Sequence, residues 1–269
     1  MPELPEITLL ARQMKDELVG KTIVGVTVLQ PKILNVPQDS FCEALNGARL
    51  IDVRHHGKWI TVETTQGWLM LSLGMGGEIL LFADDRQFPE KCQLVLTFRD
   101  GTHIVVSFWW FGYAHYAEHP EDHAMTAKLG PNALDLTLDE FRALLRGRRG
   151  GIKSFLLNQG HIAGIGNVYV QDPLFRARIH PLRKIDTLTD DEIAALWRAL
   201  QDTLQGSIDL GGSAWEMDLY GKKGGWSEEQ MVVAYQESKP CPRCGTAVEK
   251  IRTGSTSTFI CPQCQRLEP

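Results

Sequence analysis

The chain has 269 residues, with 28 Lys and Arg against 33 Asp and Glu, and a formal net charge of −5. That balance argues against a protein that coats a polyanion by bulk charge. Hydrophobic residues at 43% and charged residues at 23% lie near the average of soluble globular chains, which excludes a disordered chain and a fibrous repeat. The longest apolar stretches, 68–73 and 104–113, fall far short of the ~20 residues of a membrane span, and the N-terminus carries no basic-then-apolar signal. The chain therefore reads as soluble and intracellular.

The first twenty residues have helical spacing, with Ile7, Leu10, Met14 and Leu18 along one face and Pro2 just upstream. From about Lys21 to Tyr116 the pattern is that of strands: TIVGVTVLQ, ARLIDVRHH, KWITVET, WLMLSLG, CQLVLTF and HIVVSFWWF, punctuated by turns at Gln66-Gly67, Gly74-Met75-Gly76-Gly77 and Arg99-Asp100-Gly101. Strands without intervening helices predict an antiparallel sandwich or barrel. The His- and Pro-containing stretch 118–131 marks the boundary of this region.

Helices follow. Thr137 and Glu140 have capping-box spacing ahead of FRALLRG, and Thr189 and Glu192 head a second long amphipathic helix reaching Ile208. Between them, Arg146 to Lys184 carries Arg146, Arg148, Arg149, Lys153, Arg176, Arg178, Arg183 and Lys184 against the single acid Asp172, a segment of +7 in an acidic protein. Such a face is either a solvated helix surface or a surface for polyphosphate backbones. Gly164-Ile165-Gly166-Asn167 within it favours the second reading, because glycines permit close approach and Asn167 adds side-chain donors. Residues 206–240, rich in Gly and Lys, read as loop and linker.

Four of the six cysteines lie in the last 29 residues, as Cys241-Pro-Arg-Cys244 and Cys261-Pro-Gln-Cys264, separated by 16 residues. This is the spacing of a four-thiolate zinc site; the other reading is a pair of disulfides or redox dithiols. Without a secretory signal the zinc reading is preferred, and four protein ligands would make the ion structural. Two short strands around Thr253-Gly254-Ser255 would be what the metal holds out.

The N-terminus Met1-Pro2-Glu3-Leu4-Pro5-Glu6 admits two readings. If Met1 is removed, Pro2 becomes a secondary amine with a pKa below that of Lys, able to attack a sugar C1′, with Glu3 close enough to move protons around it. Otherwise the acids merely suit the first turn of a helix.

Taken together, Met1 to Glu6, His56-Gly57-Lys58, Leu73-Gly74-Met75-Gly76-Gly77, Ala163-Gly164-Ile165-Gly166-Asn167-Val168-Tyr169, Ile179-His180-Pro181 and the paired CxxC motifs with Gln265 occur in one order over nearly the whole chain. The ordered set resembles the bacterial formamidopyrimidine-DNA glycosylases of the Fpg/Nei family. The resemblance implies an α+β fold: an N-terminal helix plus antiparallel β-sandwich (1–130), a helix-two-turn-helix DNA-binding domain (131–225), and a linker with a four-cysteine zinc-finger β-hairpin (226–269). It implies damaged duplex DNA bound between two domains, base extrusion, glycosidic cleavage and strand nicking by β,δ-elimination, in a monomer of the bacterial cytoplasm associated with the nucleoid.

By the same resemblance Pro2 is the nucleophile, Glu3 the proton shuttle, Glu6 a supporting carboxylate and Lys58 a phosphate contact beside the lesion. Asn167 and Lys153 belong to the backbone clamp, Met75 fills the gap left by the extruded nucleotide, and Cys241, Cys244, Cys261 and Cys264 hold one zinc ion. The chain departs from the family at Phe108-Trp109-Trp110-Phe111-Gly112. The wedge Phe111 is kept, but Trp110 replaces the arginine that pairs with the base opposite the lesion, so charged readout of cytosine is replaced by less specific stacking; the alternative places both tryptophans in the core. Thr256 stands where the zinc hairpin normally carries an arginine, with Arg252 nearby. The loop 211–226, aligned with the segment that covers the extruded base, contains Trp215, Lys222, Lys223 and Trp226. These departures predict an altered lesion range. The competing function is a non-catalytic DNA-damage binder on the same scaffold, against which the retention of Pro2, Glu3 and Lys58 speaks.

Overall fold

The computed structural model describes residues 1–84 and 88–267. The chain packs into two compact units, residues 1–128 with 211–225 and residues 129–210 with 226–269.

The first unit opens with helix α1 (Leu4–Leu18), whose predicted face is fully committed: Ile7, Leu10, Met14 and Leu18 are each 2% exposed or less. Strands β1 (Ile23–Val28), β2 (Leu50–His56), β3 (Trp59–Thr64), β4 (Gly67–Ser72), β5 (Glu78–Phe82), β6 (Leu94–Phe98), β7 (His103–Ser107) and β8 (Tyr113–Ala117) follow, with helix α2 (Gln38–Leu45) between the first two. They form two antiparallel four-stranded sheets, ordered β1-β6-β7-β5 and β2-β3-β4-β8. Val53, Ile60, Val62, Leu69 and Leu71 of one sheet and Ile23, Ile79, Leu94, Leu96, Ile104 and Val106 of the other belong to a single buried cluster with the α1 face, which makes the pair a sandwich. Each such side chain contributes about 1.5–3 kcal/mol by its burial. Lys15 of α1 pairs with Asp52 of β2 at 2.8 Å, and this ammonium together with Arg54 holds the Asp52 carboxyl down to about 2.

The sequence runs anticipated six strands and missed β5 and β8. β5 is a five-residue run, and β8 (Tyr113-Ala114-His115-Tyr116-Ala117) has buried positions side by side rather than in alternation. The run 103–111, whose pattern predicts one strand, ends as a strand at Ser107, where the chain turns outward.

The second unit contains α3 (Leu138–Leu145), α4 (Ile152–Leu157), α5 (Gln171–Arg176), α6 (Asp190–Asp209) and the hairpin β9 (Glu249–Thr253) with β10 (Thr256–Ile260). Both anticipated capping boxes form: the Thr137 and Thr189 hydroxyls accept from the Glu140 and Glu192 N–H groups, and each glutamate accepts from its threonine's backbone N–H at 2.8 Å. Residues 226–240, anticipated as linker, are in fact partly core. Trp226, Val233 and Ala234 are buried, and both Asp172 oxygens accept the backbone N–H groups of Val232, Val233 and Ala234. Among the described residues no helix is long and apolar enough to cross a membrane.

Candidate active site and nucleic-acid interface

The N-terminus is fixed in place by buried carboxylates. Pro2 is buried, Glu3 is 4% exposed and Glu6 is 5% exposed. Glu6 accepts the Glu3 N–H on Oε2 and the Ser213 N–H on Oε1, both at 2.9 Å, so it joins the first turn of α1 to the 211–225 segment. The terminal ammonium of Met1 donates to Glu216 Oε1 at 2.9 Å. Burial pushes the Glu216 carboxyl above its ordinary value; the terminal ammonium opposes that, and Glu3 and Glu78 add to it through their negative charge. The Glu3 and Glu78 carboxylates therefore both act on Glu216 at the chain end. Glu78 and Glu216 are absent from the sequence-derived candidates, because nothing local marks them. The only available signal was the placement of Glu216 beside Trp215 in a Gly-rich loop.

Glu216 also lines a cavity of about 630 Å³ with Glu78, Gln93, Trp109, Trp215 and Lys223, a size within the range of small-molecule sites. The loop that supplies Trp215, Glu216 and Lys223 is a closed turn rather than a free flap. Met217 bridges to Lys223, Asp218 N–H donates to Lys222 O, and Gly224 N–H donates to Ser213 O. Leu219, fully buried at its apex, accepts from Leu81 N–H, and the Gln13 side chain bonds both Leu219 N–H and Asp218. Trp226, expected with this loop, instead packs in the other unit beside Tyr169.

A second feature of the same unit is an exposed apolar tip. Met75 N–H donates to Trp110 O at 2.8 Å, and Trp109 N–H donates to Met75 O at 2.9 Å, zipping the 73–77 loop to the 108–112 loop. Gly74 has φ +56°, and a Cβ there would lie 2.1 Å from Trp110 O, so only glycine permits the approach. Beyond this zip the side chains project: Met75 is 42%, Trp109 74%, Trp110 62% and Phe111 70% exposed, with Phe111 at φ +59°. The tryptophans are therefore surface, not core.

Lys58 occupies the two-residue turn between β2 and β3, after Gly57 at φ +57°. Its neighbour Trp59 is buried, stacks on Tyr113 and meets the edge of His123. His123 in turn bonds His115, whose imidazole burial pushes down to about 4 with help from His123, so both rings stay neutral near pH 7. A rigid, uncharged aromatic floor thus supports the turn that presents Lys58.

In the helical unit the basic segment divides. Arg146, Arg148, Arg149, Arg176, Arg178 and Lys184 are exposed, while Arg183 is paired with Glu192 and Lys153 is 2% exposed. Asn167 sits in the turn before α5. Its Oδ1 accepts from Lys153 Nζ at 2.8 Å and its Nδ2 donates to Ser257 O at 3.2 Å. Arg252 is exposed at the hairpin tip, its Nε donating to Gly254 O.

The sulfurs of Cys241, Cys244, Cys261 and Cys264 lie within 4.8 Å of one another, with Cys241–Cys264 at 3.9 Å and Cys244–Cys261 at 3.4 Å. Tetrahedral zinc with Zn–S near 2.3 Å places its sulfurs about 3.8 Å apart, so this set fits the ion. Gln265 donates to Ile179 O and accepts from Cys261 N–H, seating the metal loop against the Ile179-His180-Pro181 turn.

Three family models match in chain order. They are the formamidopyrimidine-DNA glycosylase N-terminal domain over 1–108, the formamidopyrimidine-DNA glycosylase H2TH domain over 129–218, and the zinc finger found in FPG and IleRS over 238–267. Fold, metal loop and matches together define a glycosylase-class chain with an H2TH domain and one structural zinc ion. Among curated proteins it is 37% identical to the formamidopyrimidine-DNA glycosylase of Chloroflexus aggregans, covering 99% of both chains, and 35% identical to that of Geobacter metallireducens, covering 98% of this chain and 100% of that one. Among solved structures it resembles MutM in complex with DNA containing carbocyclic 8-oxo-G and Lactococcus lactis Fpg with an abasic-site DNA. Both superpose with TM-score 0.90, at 28% and 27% identity, over 99% and 98% of this chain and all of the other. The chain belongs to the formamidopyrimidine-DNA glycosylase family.

Proposed function

We propose that this protein is a bifunctional DNA glycosylase and abasic-site lyase that excises oxidised or ring-opened, formamidopyrimidine-type bases from duplex DNA and nicks the strand by β,δ-elimination. With Met1 removed, the Pro2 amine attacks C1′ and the glycosidic bond breaks with its electron pair leaving on the base. Glu3 takes the proton that the Pro2 amine sheds and delivers it to the sugar-ring oxygen as the C1′–O4′ bond breaks and the iminium forms, then takes protons in the elimination steps. Glu6 keeps the first turn of α1 and the 211–225 segment in register. Glu216, which holds the Met1 ammonium before processing, walls the cavity that receives the extruded base.

The observation that supports this most strongly is the coincidence of three features in one unit: a buried Pro2, a Glu216 carboxyl acted on by Glu3 and Glu78 at the chain end, and a cavity of about 630 Å³ walled by Glu216, Trp109 and Trp215. Met75, Trp110 and Phe111 form the inserting tip, and Lys58, Asn167, Lys153 and Arg252 belong to the phosphate-facing machinery. The functional division is 1–130 with the 211–225 segment for chemistry, 131–210 for helix-two-turn-helix binding and 226–269 for the linker and zinc finger, which moves 211–225 from the helical part, where the resemblance put it, to the catalytic one. The protein acts as a monomer in the bacterial cytoplasm, at the nucleoid.

Lesion range and opposite-base preference are shifted, because an exposed tryptophan stacks without reading the hydrogen-bonding edge of cytosine. Duplexes carrying 8-oxoguanine, formamidopyrimidine, an oxidised pyrimidine or a bulky alkyl-formamidopyrimidine, each opposite all four bases, test both levels. Excision with phosphate at both ends of the gap and a weak dependence on the opposite base is expected. Strict preference for 8-oxoguanine opposite cytosine contradicts the altered specificity. Binding without any excision favours the non-catalytic damage binder.

A further inference from the structure

The least expected group in the molecule is the Lys153 ammonium. It is 2% exposed, yet its nearest partners are all neutral: Asn167 Oδ1 at 2.8 Å, Thr253 Oγ1 at 3.1 Å, Thr256 Oγ1 at 3.0 Å and Thr258 Oγ1 at 2.6 Å. Three protons meet four acceptors, so no donor remains for a ligand. Three of the four acceptors come from one short hairpin, and Thr253 and Thr258 are themselves hydrogen-bonded.

Among the described residues no carboxylate balances the charge. From α5, Gln171 donates to Asn167 O, and the Asp172 carboxylate is consumed by the Val232, Val233 and Ala234 N–H groups. On β9, Arg252 turns its guanidinium to Gly254 O, and Glu249 and Lys250 are exposed. Burial alone acts on the Lys153 ammonium and pushes it down to about 8. A buried charge without a counter-ion is costly, and threonine hydroxyls offset only part of that cost.

The outer wall of this cage is open. Ser257 is exposed, and Thr256 and Asn167 are half-buried. We propose that Lys153 is a positioning residue whose charge is completed by the bound strand. Its ammonium fastens the zinc hairpin to the Asn167 turn, and a phosphodiester lodged against Asn167, Thr256 and Ser257 serves as its counter-ion, so that DNA binding and retention of the Lys153 proton are coupled. The inference rests on the DNA-binding reading given above and adds to it a through-cage contact and a pH dependence.

The sign follows from linkage. A phosphate outside the cage favours the charged lysine, so the bound complex holds the proton to higher pH than the free protein. Affinity is then level below about pH 8 and falls above it, by up to tenfold per pH unit, until the lysine of the complex also titrates.

The test is the Kd of the zinc-loaded, full-length protein for a duplex with a tetrahydrofuran abasic analogue, measured from pH 6.5 to 9.5 at fixed salt. Wild type and the variants Lys153→Arg and Lys153→Met are compared, with zinc content and circular dichroism recorded for each. The wild type is expected to weaken above pH 8, Lys153→Arg to bind with no such slope, and zinc-loaded Lys153→Met to bind weakly at every pH, also without it. Because either variant can misfold, proton uptake by the wild type at pH 8.5, read by calorimetry in two buffers of different ionisation enthalpy, supplies an independent measure; uptake is expected. A pH-independent wild type without proton uptake overturns the proposal, as does an undiminished slope in zinc-loaded Lys153→Met. Absence of binding by the wild type at every pH overturns the DNA-binding reading, and the coupling with it.

Discussion

Glu6 shows how one side chain organises the candidate site without being its nucleophile. Its two oxygens satisfy the Glu3 and Ser213 N–H groups, both buried and 207 residues apart in the case of Ser213. Truncation to Ala leaves two buried donors unmet, at about 1–3 kcal/mol each. Glu6→Ala is therefore expected to lower the thermal midpoint by several degrees and to expose the 211–225 segment to protease, whereas Glu6→Gln, which keeps one acceptor oxygen, loses less. Equal midpoints for wild type and Glu6→Ala would contradict this role. The sequence marked Glu6 as a supporting carboxylate, but its partner was invisible, because no periodicity links residue 6 to residue 213. The same holds for Lys153. Its residue type and basic surroundings pointed to phosphate, while its burial among threonines became visible only once the hairpin was in place.

At the scale of elements, legibility followed locality. Helix α1 was readable because its apolar face repeats every three to four residues, and the two threonine capping boxes because their partners lie three residues apart. The aromatic run Phe108 to Phe111 misled for a physical reason. Its residues have strand propensity, but the Phe108 N–H is taken by the Gln93 side chain and Trp109 N–H by Met75 O, which turns the chain outward and exposes three rings. The hairpin β9–β10 adjoins the metal loop, and its Phe259 packs in a small buried cluster with Phe175, Val233, Cys241, Val248 and Cys261. Two of those residues are zinc ligands. Stripping zinc with a chelator is expected to release the hairpin, free Lys153 from its three threonines and abolish binding to abasic-site duplex, with recovery when zinc is restored. Retention of full affinity in protein shown to be metal-free would contradict this dependence.

For the whole molecule, the net charge of −5 conceals a division of labour. The one acid within Arg146 to Lys184, Asp172, is 2% exposed and wholly occupied by backbone donors, so the surface this segment presents is basic. The other unit collects buried carboxylates around the chain end instead. An acidic protein with a local basic face is suited to weak non-specific and salt-sensitive DNA contact, leaving selectivity to insertion and extrusion. Catalysis turns on one atom, the Pro2 nitrogen, which is an amide while Met1 is attached and an amine once it is gone. Borohydride trapping on a lesion-containing duplex reads that atom directly. Protein whose processed N-terminus is verified by mass spectrometry is expected to give a covalent protein–DNA adduct, and Pro2→Gly or Met1-retaining protein to give none. An equal yield of adduct from the Met1-retaining form, or none from the processed form, would contradict the account.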